Sequence, residues 1–142
     1  MSSDRHGNSS RLDGIQNILD GKFDVRQGLE ELCEALRNLR CGNEFEAELN
    51  VVNGIHHIKE GLREIEKGLC ELKGTVNREA LREIKRGVCD IREALGALCE
   101  VLKLICCGQL CEAEEILVKA IKLIEKGLCR IEKGLDHICL CA

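Results

Sequence analysis

One pattern recurs along this chain every 33 residues, and it leaves few folds open. Leu29, Leu62, Leu95 and Leu128 fall in step. So do Gly14, Ala47, Ala80 and Ala113, then Gly21, Gly54, Gly87 and Ala120, then Gly28, Gly61, Ala94 and Gly127. A second period of 66 residues overlies the first: Cys33 matches Cys99, Cys41 matches Cys107 and Gly42 matches Gly108. Within each unit the apolar residues are spaced by three and four. Ile15, Ile18, Val25, Leu29, Leu32, Leu36 and Leu39 form the first seam, interrupted by Lys22. Comparable seams run from Val51 to Leu72, from Leu81 to Ile105 and from Leu117 to Ile138. This is the a/d pattern of packed helices. Each unit therefore reads as one helix, roughly 45 Å long at about 1.5 Å per residue.

The seams break at Gly42-Asn43, Gly74-Thr75 and Gly108-Gln109. A glycine followed by a polar residue suits a helix end and a very short turn. The expectation is an all-α fold of four long antiparallel helices, near residues 11–41, 44–73, 77–107 and 110–140. Narrow seams with small flanks favour an up-down four-helix bundle. The alternative is an open helical-repeat array, because a repeat of this kind has no intrinsic stop. Residues 1–10 are expected to form a flexible tail and 11–142 a single domain.

Glycine recurs every seventh residue inside these helices, as in GLREIEKGLCELKG from Gly61 to Gly74. Each interior glycine costs about 1 kcal/mol of helix propensity relative to alanine. About ten would cost roughly as much as a whole domain's stability. The sites Gly14, Gly21, Gly28, Gly54, Gly61, Gly68, Gly87, Gly127 and Gly134 occupy the g position, beside the apolar seam. Small residues on one flank let a neighbouring backbone approach closer than the usual 8–10 Å or so between helix axes. Alanine at equivalent repeat positions indicates that small size is specified, and predicts that alanine is tolerated at Gly61.

Composition narrows the function. Proline is absent and Phe23 and Phe45 are the only aromatic residues, a mixture poor for sheets. The net charge of −4 comes from interspersed signs with no basic block, so nucleic acid is not expected as a partner. No apolar run reaches the ~18–20 residues that span a bilayer, so no membrane insertion is expected. The start, MSSDRHGNSSRLDG, shows no apolar signal core, which predicts synthesis in a cytoplasm.

Eleven cysteines are dense for such a protein, and an odd number cannot all pair within one chain. Cys33, Cys99, Cys106, Cys111 and Cys139 fall at e, just after d, where a small buried hydrophobe is the expectation. Cys70, Cys89 and Cys129 fall at b, two residues after a glycine, and are expected at least partly exposed. Cys41, Cys107 and Cys141 lie at turns or the C-terminus. Cys99 and Cys106 are roughly 10 Å apart along one helix, too far for a disulfide whose Cα atoms sit about 4.4–6.8 Å apart. Pairs must therefore join different helices or different chains. Folding about Gly108 brings Cys89 level with Cys129. An up-down bundle collects Cys33, Cys41, Cys99, Cys106, Cys107 and Cys111 towards one end, and Cys139 and Cys141 towards the other.

No phosphate-binding loop, nucleophile elbow or HExxH motif is present, and His56 and His57 read as surface residues. Catalytic and cofactor sites are not expected. Two classes remain. The first is a structural protein that assembles with itself, and with other cysteine-rich structural proteins, through disulfides into a filament, layer or shell. Its density of cysteines and its recurring GLC and GVC steps (Leu69-Cys70, Val88-Cys89, Leu128-Cys129) resemble the self-assembling coat and exosporium proteins of bacterial spores. That resemblance implies synthesis in a reducing mother cell and later oxidation at the spore surface. The second class is a Cu(I) store, similar to the bacterial copper-storage four-helix bundles lined by CxxxC motifs. Cys107 and Cys111 alone have that spacing, and the seams fill the interior with Leu and Ile.

Overall fold

A computed structural model describes residues 2–140, with side chains described over 11–138. Cys139 and Cys141, and with them the second thiol cluster, lie outside that set. Four helices follow one another: α1 (Ser2–Arg40), α2 (Glu44–Leu72), α3 (Arg78–Cys106) and α4 (Leu110–Leu140). There is no strand among the described residues. α1 packs on α2 and α4, and α3 packs on α2 and α4, which closes an antiparallel ring. The fold is an up-down four-helix bundle. The three later helices end within one or two residues of the expected bounds, but α1 begins at Ser2 rather than near residue 11. With no proline before Arg11, no residue there forbids a helix already nucleated from extending backwards.

The turns are made by the expected glycines. Gly42 and Gly108 have φ of 80° and 75°. Asn43 N–H donates to Asn38 O at 2.8 Å and Gly42 N–H to Leu39 O at 3.2 Å. Gln109 and Gly108 repeat that pair of bonds, to Leu104 O at 2.9 Å and Ile105 O at 3.1 Å. Both are Schellman ends. The middle connection differs. Lys73 (φ −57°, ψ 124°) and Gly74 (φ 83°) form a type II turn closed by Thr75 N–H to Leu72 O at 3.0 Å. Asn77 then caps α3 by accepting from Glu79 N–H at 2.8 Å.

The interior is aliphatic. Ile18, Leu32, Ile58, Ile65, Ile84, Leu98, Ile124 and Ile131 are fully buried, and no polar or charged side chain is buried among the described residues. The d and g positions are the most deeply buried, whereas Ile15, Leu29, Leu36 and Leu95 at a are only partly covered. The buried stripe is thus rotated from the a/d seam towards the glycine flank.

That rotation follows from how the helices pair. The nine g-position glycines meet the facing helix of their own hairpin. A Cβ on Gly61 would lie 2.5 Å from Gly21 O and 2.7 Å from Val25 Cγ2. A Cβ on Gly21 would run into Gly61 O in return. Gly14 faces Gly68 and Gly28 faces Gly54 in the same register, and in the second hairpin Gly87 faces Gly127. Gly134 faces Ala80. In each Gly–Gly pair the hydrogen in the Cβ position points at the partner's carbonyl oxygen, the arrangement of a Cα–H···O contact. The molecule is therefore two tightly sealed hairpins, α1–α2 and α3–α4. Gly96, in contrast, has open space where its Cβ would be. Gly96→Ala is expected to stabilise the protein by up to about 1 kcal/mol in a urea melt, because propensity is the main term that changes.

The hairpins join through α1·α4 and α2·α3, and these junctions are equivalent under the 66-residue period. Arg26 pairs with Glu132 across the first junction and Arg92 with Glu66 across the second. Arg40 pairs with Glu114 at 2.7 Å, and at the corresponding place the Cys106 thiol meets Glu48 at 3.8 Å.

Candidate functional site

The chemistry this chain carries in quantity is thiol, and the bundle turns it outwards. All nine described cysteines are exposed and unpaired: Cys33, Cys41, Cys70, Cys89, Cys99, Cys106, Cys107, Cys111 and Cys129. For Cys70, Cys89 and Cys129 at b this is the expected exposure. For Cys33, Cys99, Cys106 and Cys111 at e it corrects the expectation of burial. The reason is the rotated stripe. Close approach on the g side carries the opposite flank, e, away from the core and onto the open junctions between hairpins.

The helices group these thiols. The Gly42 and Gly108 turns lie at the same end of the bundle, bringing Cys41, Cys106, Cys107 and Cys111 to it. Cys106 and Cys107 are consecutive at the C-terminus of α3. Along the α1·α4 junction, Cys33 and Cys129 line one open groove with Arg26, Arg37, Glu125 and Glu132. Cys89 and Cys129 neighbour the Arg130–Asp90 ion pair of 3.1 Å, which sets α3 and α4 level there. His56 is exposed and His57 partly so.

Two of the thiols have altered acidity. Partial burial, reinforced by the Glu125 carboxylate, pushes the Cys33 thiol above its ordinary range. Glu48 does the same to Cys106, by its charge first and by accepting the thiol's hydrogen bond. The thiolate is the reacting species. A raised pKa leaves less thiolate at neutral pH, and reactivity then rises on going alkaline. Cys106 in Glu48→Gln is therefore expected to alkylate faster than in the parent at pH 7.5. The two rates should converge at high pH. Mass spectrometry of iodoacetamide time courses reads this directly, and equal rates at pH 7.5 would show that Glu48 does not hold the proton on Cys106.

The described side chains contain no group of three or more His, Cys, Asp or Glu placed to hold a metal ion. Among the described residues no helix is long and apolar enough to cross a membrane. One surface feature escaped the sequence reading. Phe23 and Phe45 are 62% and 70% exposed, and Leu12, Leu19, Leu49 and Val52 are exposed beside them along α1 and α2. The 66-residue period gives the signal that could have found them. The second hairpin has Cys89 where the first has Phe23, and Cys111 where it has Phe45.

Comparison of the chain with protein-family models, with curated proteins and with solved structures returns no match.

Proposed function

We propose that the protein is a structural subunit that associates with further copies of itself and is then fixed by disulfides between chains. The observation that carries this reading is the outward display of every described thiol on a solid aliphatic bundle. A rigid rod with reactive groups at one end and along its sides is a cross-linkable building block, and an odd number of cysteines leaves at least one for a partner. Other cysteine-rich structural proteins would be suitable partners through the same thiols. A bacterial spore surface, where oxidation follows synthesis in a reducing compartment, suits such a subunit. Long helices with short turns also offer little irregular backbone on which to build a catalytic site.

The Cu(I)-store alternative draws less support. Such a store lines a bundle's interior with thiolates, whereas this interior is Ile, Leu and Val. A non-reducing gel of air-oxidised protein should show a ladder of covalent oligomers that collapses with reductant. A protein that stays monomeric under oxidising conditions would overturn the cross-linking reading. Binding of many equivalents of Cu(I) by the reduced monomer would replace it with metal storage.

A further inference from the structure

We propose that copies of this chain associate by exchanging hairpins: α1–α2 of one copy pairs with α3–α4 of another across the junctions that close the bundle within one chain. The proposal rests on the self-association reading but not on its disulfides.

Three observations carry it. First, each hairpin is sealed internally. At the facing glycines α1 and α2, and α3 and α4, come so close that an added Cβ has no room. The junctions between hairpins have no such glycine seam. They are formed by apolar side chains and by Arg26–Glu132, Arg92–Glu66, Lys22–Glu132 and Arg40–Glu114. The bundle therefore has a plane along which it parts into two intact pieces.

Second, one short connection crosses that plane. Residues 73–77 join Leu72 to Arg78, and the turn is held locally, by Thr75 N–H and Thr75 Oγ1 donating to Leu72 O at 3.0 and 2.9 Å. Straightening it gives up those two bonds and the seating of Val76 on the core, and five residues can span roughly 17 Å when extended. The packing and ion pairs that a chain's own hairpins surrender on opening are remade with the neighbour's hairpins, which is why exchange is a low-cost route to association.

Third, the two junctions are equivalent under the 66-residue period, down to the matched pairs Arg26–Glu132 and Arg92–Glu66. An opened chain thus presents two hairpins, each with one long apolar face. Mutual exchange between two chains closes a dimer, while passing each hairpin to the next chain extends a filament. Disulfides at the bundle end and flanks would then fix what exchange had built.

The Lys22–Glu132 ion pair, 3.3 Å across α1·α4, provides a probe in the unaltered protein. Equal amounts of ordinary and 15N-labelled chain are unfolded together and refolded at high concentration in reductant. Monomer and oligomer are separated by size. Each fraction is treated with a zero-length carbodiimide, and the linked Lys22–Glu132 peptides are weighed after digestion. The expected result is mixed-label peptide in the oligomer and only single-label peptide in the monomer. An oligomer whose Lys22–Glu132 peptides are all single-label overturns exchange, since its copies then touch through outer surfaces. A reduced protein that never leaves the monomer overturns it as well. Neither result bears on the ladder of the oxidised protein, so failure of exchange and failure of cross-linking are read separately.

Discussion

Gly61→Leu is expected to destabilise the reduced protein by about 3 kcal/mol or more, the upper end of what overpacking ordinarily costs. Even the first carbon of that side chain has no room. It would lie 2.5 Å from the carbonyl oxygen of Gly21, and 3.0 Å from the Val25 nitrogen, both of them backbone atoms of a facing helix. Relief requires the two helices of the hairpin to separate. Separation uncovers Ile18, Val25, Ile58 and Ile65, all now fully buried. Gly61→Ala should be milder but still unfavourable, by about 1–2 kcal/mol, because about 1 kcal/mol of propensity offsets part of the strain. Gly54→Ala should cost less again. Its Cβ would meet Gly28 O at 3.1 Å and the far end of Leu32, a side chain able to move. Urea melts in reductant rank the three variants. A Gly61→Leu protein that melts later than the parent would mean the helices are not held apart by these atoms.

This ranking revises the tolerance of alanine at Gly61 expected from the 33-residue repeat. That period aligns Gly61 with Ala94, but the two helices face different partners. The 66-residue period is the structural one, and it aligns Gly61 with Gly127, each opposite another glycine (Gly21 and Gly87). Gly54 aligns instead with Ala120, and Gly14 with Ala80, where the second hairpin already carries a methyl group. A Cβ on Gly14 comes no closer than 3.0 Å to a facing backbone atom, Gly68 O. The alanines thus fall at positions whose own Cβ clears the facing backbone slightly better, even though a Cβ on Gly68 would still lie 2.5 Å from Gly14 O.

The helices themselves were legible because Gly42, Gly74 and Gly108 mark their ends and the apolar spacing never slips. Which neighbour each glycine touches was less plain, since a g position can serve either side of a bundle. The clue was present all the same. Gly14, Gly21 and Gly28 descend in steps of seven as Gly68, Gly61 and Gly54 return, so only folding about Gly42 places them face to face. The exposure of Cys33, Cys99, Cys106 and Cys111 is hidden from the sequence for a linked reason. An a/d seam treats e and g as equal flanks. Once glycine draws g inwards, e must turn out, and that asymmetry emerges only when helix separation is known. The start of α1 is not legible in the sequence, because Ser2–Arg11 lacks the apolar spacing that marks the rest of the helix.

Ile65→Ala is expected to cost about 3–5 kcal/mol, towards the top of the range for truncating a buried isoleucine. Ile65 is fully buried, and its Cγ1 would stand 2.6 Å from a Cβ on Gly21. The atoms removed therefore rest on bare backbone. A cavity costs most where its walls cannot collapse, and Gly21 has no side chain to lean into the space. Adding Gly21→Ala tests this geometry. In the parent, the new methyl group meets both Ile65 and the carbonyl oxygen of Gly61. In the Ile65→Ala background the Ile65 Cγ1 is gone, while the Gly61 carbonyl oxygen and the Ile65 backbone nitrogen remain. Gly21→Ala should accordingly cost about 1 kcal/mol less there than in the parent, a coupling of the size found for residues in contact, yet should still not stabilise. The four proteins of this cycle can be compared by urea melts in reductant. Equal cost in both backgrounds would mean that Ile65 does not bear on Gly21. A net gain in the Ile65→Ala background would mean that the Gly61 carbonyl leaves room for a methyl group, and the close backbone approach inferred for both hairpins would be wrong at its tightest point.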